Sequence, residues 1–176
     1  MESFRQLALT RQSCRDFNDK PLEENVVEEI ARTAMLAPSA CNSQPWKMCL
    51  VTSPDKVKEV GHCLQDRNFN KFLSKAKAYI ALVEKEPRLK EHAEKVLGKS
   101  FFVKYDIGEL AAYITLSAQD IGVSSCIIGW VDKGRLKSVL DLEEKEICNI
   151  VVALGYSDNE IRKKTRKAEK EVIVKK

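Results

Sequence analysis

Apolar and polar positions follow two different periods along the chain, which predicts a mixture of strands and helices. Four apolar runs have the length of buried strands, and they cover residues 48–52, 78–83, 124–130 and 147–156. Apolar residues at helical spacing predict helices over residues 3–9, 22–35, 54–64, 105–121 and 132–140. No repeat, low-complexity tract or linker divides these segments. The pattern therefore predicts a single α+β domain that spans residues 1–176.

Two segments between the strands stand out. Residues 105–121 are apolar or small around most of the helix circumference, and Gly122 is expected to end that helix. Such a helix is typical of a protein core or an oligomer interface. Residues 84–100 are highly charged and contain Pro87 and Gly98, so we expect an exposed connection with some helix. Whether this connection forms a substrate lid stays open.

The composition narrows the class of protein. The chain has 176 residues, of which 44% are apolar and 32% are charged, as in folded globular domains. No apolar run approaches the roughly 20 residues that cross a bilayer, and the N-terminus lacks the apolar core of a signal peptide. We therefore expect a cytoplasmic protein that does not contact membranes.

The cysteines and histidines do not form a metal-binding pattern. The six cysteines include no C-x-x-C pair, and the two histidines are 30 positions apart, at His62 and His92. Zinc and iron–sulfur sites usually show tighter ligand clusters. We therefore expect no metal, and cysteines that serve as reduced packing residues.

Residues 11–17 form the first cluster with candidate chemistry. Arg11 and Arg15 lie on either side of Ser13, and guanidinium groups match phosphate oxygens in a bidentate manner. The cluster could therefore hold a phosphate monoester. Solvated arginines that pair with Asp16 or Asp19 are the alternative.

Residues 38–46 form the second cluster, a loop enclosed by Pro38 and Pro45. Both prolines fix φ and lack a backbone donor, so the preceding helix cannot continue. The loop is expected to display polar side chains, namely Ser39, Asn42, Ser43 and Gln44. Because hydroxyl and amide groups both donate and accept hydrogen bonds, they suit the polar edge of a flat heteroaromatic. An ordinary turn has the same composition, so both interpretations stay open.

The last 21 residues, 156–176, read as a basic C-terminal extension. Its cations include Arg162, Lys163, Lys164, Arg166, Lys167 and Lys170. Acidic residues are interleaved among them, and the formal net charge of the chain is only +4. We therefore expect no nucleic-acid partner.

Taken in order, these motifs resemble the nitroreductase family of FMN-dependent, nicotinamide-oxidising flavoproteins. Arg-x-Ser-x-Arg-x-Phe at 11–17 precedes a helix, and Ala-Pro-Ser-x-x-Asn-x-Gln-Pro-Trp at 37–46 precedes a strand. Ile-Ile-Gly at 127–129, Leu-Gly-Tyr at 154–156 and the basic tail follow. The resemblance implies a three-layer sandwich, in which helices flank a central, mostly antiparallel sheet. It also implies an intertwined homodimer.

The resemblance assigns cofactor-binding roles by position. Arg11, Ser13 and Arg15 match residues that hold the FMN phosphate and ribityl chain, while the tail supplies a second phosphate clamp. The loop matches residues that contact the isoalloxazine from the other subunit, and Ile128 and Gly129 match a turn whose backbone approaches the flavin N5. The full expected set is Arg11, Gln12, Ser13, Arg15, Pro38, Ser39, Ala40, Asn42, Gln44, Asn68, Asn70, Lys71, Ile128, Gly129, Lys164 and Arg166.

The implied activity is electron transfer from NADH or NADPH, through FMN, to a small-molecule acceptor such as a nitroaromatic or a quinone. The family scheme is ping-pong and uses no protein acid or base, so no catalytic side chain is expected. No Gly-x-Gly-x-x-Gly motif indicates a separate nicotinamide site. Reductive dehalogenation and a flavin sensor or store without turnover stay open as alternatives. The physiological acceptor and the choice between NADH and NADPH also stay open.

Three features depart from the family pattern. The chain is short, so the part that shapes the substrate pocket in longer members is expected to be reduced. Gln12 stands where a basic residue is common, which could weaken phosphate binding. Cys41 stands where small or hydroxyl residues are usual. It is either a packing substitution or a redox-sensitive thiol, and both interpretations stay open.

Overall fold

The computed structural model describes residues 3–65 and 69–176, and its central element is a four-stranded antiparallel sheet. The strands are β1 (Trp46–Val51), β2 (Ala78–Glu84), β3 (Ser124–Ile128) and β4 (Ile147–Gly155), in the spatial order β1-β2-β4-β3. The helices are α1 (Phe4–Thr10), α2 (Glu24–Ala34), α3 (Pro54–Cys63), α4 (Glu91–Leu97), α5 (Val103–Asp120), α6 (Lys133–Val139) and α7 (Glu169–Val172). All four predicted strands are confirmed.

Helices cover both faces of the sheet. On one face α2 and α5 pack against alternate residues of the central strands, such as Ile80, Leu82 and Val152. On the other face α3 and α6 pack against the intervening residues, such as Tyr79, Ala81 and Val151. Because both faces of β2 and β4 are buried, these strands are apolar without alternation. The predicted three-layer α+β sandwich is confirmed.

The long helix α5 has one buried face and one exposed face. Its inner face places Ile107, Leu110 and Ile114 in the core, whereas Tyr105 and Tyr113 are exposed on the outer face. Gly122 ends the helical segment with φ of +75°, a conformation that glycine adopts at little cost. The prediction of a core helix is confirmed, and its outer face is exposed to solvent.

The segment 84–100 is mostly exposed and contains α4. The predicted exposed connection with some helix is therefore confirmed. An ion pair between Glu86 and Lys99 joins the two ends of the segment. Within the described residues, no helix is both long and apolar enough to span a bilayer.

The N-terminal segment 11–18 lies across the end of β3 and β4. Ser13 forms a parallel bridge with Ser125, and the Cys14 N–H donates to the Ser125 carbonyl at 2.9 Å. The Asn18 N–H donates to the Tyr156 carbonyl at 2.8 Å. Between these contacts Phe17 is 1% exposed. Backbone pairing and one buried ring therefore fix the segment on the sheet.

A buried carboxylate in the turn before β4 links β1 to the residue that follows β2. Lys47 and Lys85 each place Nζ 2.7 Å from the carboxylate of Glu146, and the Glu143 N–H donates to it at 3.0 Å. The Glu146 side chain is 3% exposed. The hydrogen bonds from Lys47 and Lys85 lower the pKa of Glu146 to about 2.

We expect this carboxylate to make the fold sensitive to acid. Because its folded pKa lies below the ordinary value of 4.5, Glu146 contributes stability above about pH 4.5, and that contribution is lost as the pH falls toward 2. Urea unfolding at pH 7, 5, 4 and 3 should show a steeper loss in the wild type than in Glu146→Gln. Parallel pH profiles for the two proteins would contradict the assignment.

Candidate functional site

The two basic segments at opposite ends of the chain meet at one cavity of about 340 Å³. Its lining comes entirely from these segments and consists of Arg11, Gln12, Ser13, Arg15, Arg162, Lys163, Lys164 and Arg166. The bridge between Ser13 and Ser125 holds the first segment on β3, and the tail folds back over it. The two clusters, far apart in sequence, therefore lie side by side around one cavity.

Hydrogen bonds fix the tail onto the first segment. The backbone N–H and the Nε of Arg162 both donate to Gln12 Oε1 at 3.1 Å, and its Nη2 donates to the Ser13 carbonyl at 2.7 Å. Lys164 Nζ donates to the Arg11 carbonyl. Gln12 Nε2 in turn donates to the Glu160 carbonyl at 3.2 Å. The arrangement is therefore held by polar contacts between the two segments themselves.

The cavity has an excess of positive charge. Six of its eight lining residues are cationic, and in residues 3–65 and 69–176 none of these six forms an ion pair with a carboxylate. Burial lowers the pKa of Lys164, and the nearby charges of Arg11, Arg166 and Arg162 lower it further. Uncompensated cations at this density favour an anionic ligand.

Among the described residues, Arg11 and Arg15 do not pair with Asp16 or Asp19, the carboxylates that the alternative interpretation assigned to them. Asp16 pairs with Lys75 at 3.8 Å, and Asp19 pairs with Lys77 at 3.6 Å. Both carboxylates are therefore occupied by lysines outside the cluster. This leaves the charges of Arg11 and Arg15 available to the cavity.

Arg162 is a residue of this site that the sequence did not single out. Six cations occur between positions 162 and 170, and nothing in their spacing distinguishes the one that contacts Gln12. The usable signal was Gln12 itself, because a neutral amide can accept hydrogen bonds from a neighbouring guanidinium. Arg162 brings the positive charge that Gln12 lacks.

The polar loop 38–44 has an unusual backbone. Ala40–Asn42 form a short 3₁₀ helix, and Cys41, Asn42 and Gln44 have φ of 54°, 51° and 46°. Each left-handed residue other than glycine costs roughly 1–2 kcal/mol, and asparagine costs less. Strain of this kind persists only where the surroundings fix it.

Hydrogen bonds within the loop and to its neighbours supply that constraint. The Gln44 N–H donates to Ser39 Oγ at 2.9 Å, and Gln44 Nε2 donates to Asn42 Oδ1 at 3.0 Å. The Arg88 N–H donates to Ser43 Oγ at 2.6 Å. The side chains of Ser39, Asn42, Ser43 and Gln44, which the sequence predicts to be available to a ligand, therefore partly stabilise the loop itself.

The polar loop and the cationic cavity are separate in the described chain. The eight residues that line the cavity include none from 38–44. A larger cavity of about 540 Å³ lies between α3 and residues 71–77 and shares no residue with either group. The described chain therefore presents the polar loop and the cationic cavity as two separate features.

The remaining predicted residues lie in different surroundings. Ile128 is buried at the end of β3, and Gly129 follows it at the surface. Lys71 is exposed at the start of a 3₁₀ helix. Asn70 has φ of 58° and donates from Nδ2 to the Leu64 carbonyl at 2.9 Å, so its amide already has a structural partner. Asn68 lies outside the described residues.

Comparison with known proteins supplies the family. The model of the Nitroreductase family matches residues 8–100 and 56–156. A Helicobacter pylori protein named oxygen-insensitive NADPH nitroreductase is 27% identical over 203 residues, covering 98% of this chain and 96% of the relative.

Two solved structures have the same fold. A nitroreductase family protein from Streptococcus pneumoniae TIGR4 superposes with a TM-score of 0.83 at 25% identity, covering 99% of this chain and all of the other. An FMN-dependent nitroreductase from Clostridium difficile R20291 gives a TM-score of 0.76 at 23% identity, with coverage of 97% and 98%. The match therefore extends over nearly the whole of each chain.

Proposed function

This chain belongs to the nitroreductase family of NAD(P)H-dependent oxidoreductases, and we propose that it uses FMN to pass electrons from NADH or NADPH to a nitroaromatic, a quinone or a similar acceptor. The observation that carries the proposal is the cationic cavity between residues 11–15 and 162–166. Its six cations have no carboxylate partner in the described chain, as a site for a dianionic phosphate requires.

The lining of the cavity suits a phosphate monoester in charge and in donor geometry. Arg11, Arg15 and Arg166 offer guanidinium forks that can bind two phosphate oxygens at once. Lys164 adds a compact point charge, and Ser13 adds a hydroxyl donor. Arg162 contributes its charge while it holds the tail on Gln12 and Ser13.

The position of Gly129 supports a flavin ring at the far end of β3. Ser125 is the residue of β3 that forms the bridge with Ser13, and Gly129 lies four residues after it. An extended strand of that length covers roughly 13 Å, a separation that the ribityl chain and ring of FMN can span. We propose that the backbone at Ile128 and Gly129 approaches the flavin N5, and that Lys71 binds the polar edge of the ring.

We propose that the loop 38–44 completes this site in a homodimer, where it contacts the ring bound mainly by the other subunit. The support is an apolar surface that is exposed on three parts of the chain. Large apolar side chains are exposed on α1, on the outer face of α5 and near the C-terminus, and they include Phe4, Leu9, Tyr105, Tyr113, Val172, Ile173 and Val174. Exposed apolar patches commonly mark protein–protein contacts.

In this proposal FMN supplies the hydride chemistry, and the residues of the chain bind and orient it. The cations would hold the phosphate, and the backbone at Ile128 and Gly129 would contact the ring. The loop would bind the polar edge of the ring through amide and hydroxyl groups. No side-chain acid or base is assigned to the reaction.

The proposal predicts a flavin spectrum that responds to nicotinamides. Purified protein, supplemented with FMN if necessary, should absorb in the visible range and bleach on anaerobic addition of NADH or NADPH. The colour should return on addition of a nitroaromatic or a quinone. Stopped-flow absorbance with each nicotinamide also determines which donor is preferred.

Two outcomes would contradict the proposal in different ways. A bound flavin that neither nicotinamide reduces would indicate a flavin sensor or store. A protein that takes up no FMN at all would remove the cofactor assignment. Heat-denatured protein at the same FMN concentration serves as the control for free flavin.

A further inference from the structure

Asp106 is a buried carboxylate at the start of α5 that faces the polar loop. The residue is 3% exposed. Its Oδ1 accepts a hydrogen bond of 3.0 Å from the backbone N–H of Ala40, which lies 66 positions earlier in the chain. Ala40 begins the 3₁₀ turn in which Cys41 and Asn42 adopt positive φ. The carboxylate thus contacts the loop where its strained part begins.

The second oxygen of Asp106 has no hydrogen-bond partner among the described residues, although it is buried. Native structures retain few such atoms, because an unpaired buried acceptor is costly. The hydrogen bond from the Ala40 N–H therefore accounts for the presence of a carboxylate at this buried position.

We propose that Asp106 is a positioning residue, whose Oδ1 holds the loop 38–44 in the conformation that meets the flavin. This inference rests on the proposed function for the identity of the ligand, whereas the link between Asp106 and the loop stands on the contact itself. The turn begins at Ala40. Holding the Ala40 amide therefore also sets the positions of Ser39 and Asn42 on either side of it. Without the acceptor, the three residues at positive φ relax toward ordinary backbone conformations.

Two substitutions separate the acceptor from the rest of the side chain. Asp106→Asn keeps an oxygen that can accept from Ala40, while Asp106→Leu removes it at similar volume. Ala40→Pro removes the donor and leaves Asp106 in place. Proline is tolerated at this position because it begins a helical turn and because Ser39, at φ of −152° and ψ of 155°, already has the extended conformation that a residue before proline adopts.

The experiment measures hydrogen exchange at the Ala40 amide by NMR and FMN affinity by fluorescence titration, on the full chain. In Asp106→Leu the Ala40 amide should exchange roughly 10- to 100-fold faster, and FMN affinity should fall by a similar factor. Asp106→Asn should keep both quantities within about threefold of the wild type. Glu109→Gln, an exposed carboxylate on the same helix, should change neither.

Ala40→Pro provides the second route and covers the case in which Asp106→Leu fails to fold. It should lower FMN affinity about as much as Asp106→Leu does, and the two changes together should cost no more than either alone. Unchanged Ala40 exchange in Asp106→Leu, additive losses in the double variant, or an Asp106→Asn as impaired as Asp106→Leu would each overturn the inference. If the protein binds no FMN, the proposed function fails, and Ala40 exchange still decides whether Asp106 holds the loop.

Discussion

Arg15→Ala combined with Arg166→Ala lowers the affinity for FMN by about two to four orders of magnitude, because each substitution removes charge-assisted hydrogen bonds worth roughly 1.5–3 kcal/mol. Both side chains line the same cavity from opposite ends of the sequence. Neither forms an ion pair with a carboxylate in the part of the chain that the structure describes. The loss should therefore fall on the ligand and not on the fold. Flavin fluorescence titration measures the affinity, and urea unfolding of the FMN-free protein measures stability.

A matched control removes the same charge elsewhere. Arg5 is exposed on α1, and Lys167 follows the cavity-lining part of the tail without lining the cavity. Arg5→Ala combined with Lys167→Ala should therefore leave FMN affinity within a few-fold of the wild type. If the two double variants lost flavin equally, the effect would come from net charge. Full flavin retention in the first double variant would remove the phosphate assignment.

Phe17→Ala destabilises the folded protein by about 3–5 kcal/mol, the usual cost of removing a fully buried phenylalanine. The ring packs directly beneath Gly155, and a Cβ at position 155 would lie 2.8 Å from Phe17 Cδ1. Since Phe17 also anchors the segment that carries Arg15, FMN affinity should fall as well. Urea unfolding should show a lower midpoint with an unchanged slope.

The contact can be tested from its other side. Gly155→Ala should cost about 1–3 kcal/mol by overpacking in the wild type. It should cost much less in the Phe17→Ala background, where the nearest remaining contact is the Cβ of residue 17 at 3.5 Å. A double-mutant cycle measures this coupling. Additive effects would show that the two residues do not share one packing constraint.

Much of the fold could be predicted from sequence because buried apolar residues occupy fixed faces of each strand and helix. Strands buried on both sides contain apolar residues without interruption, and helices such as α2 repeat them every three or four positions. Helix ends also follow local chemistry. Ser3 Oγ accepts from the Gln6 N–H at 3.2 Å, and Asp132 accepts from the Arg135 N–H at 3.0 Å. Signals of this kind depend on neighbours in sequence alone.

The features that sequence did not reveal depend on distant partners. Asp106 lies on the buried face of α5, four positions before Leu110, and nothing near it in sequence indicates that its carboxylate accepts a hydrogen bond from the Ala40 amide 66 positions away. The positive φ of Cys41 and Gln44 has no local signal, because glycine is the residue that usually marks this conformation. Arg162 is distinguished from its basic neighbours only by Gln12, 150 positions away.

The hydrogen bonds between Gln12 and Arg162 also have a consequence for synthesis of the chain. Because they join positions 150 residues apart, the cationic cavity can close only after the chain has been synthesised beyond Arg162. Because the segment around Ser13 is bridged to the sheet and β4 ends at Gly155, the step that remains is the ordering of the tail; it costs conformational entropy, which bound flavin would offset by mass action. Flavin uptake during translation would therefore report that synthesis has passed the tail, and an interrupted chain would remain colourless.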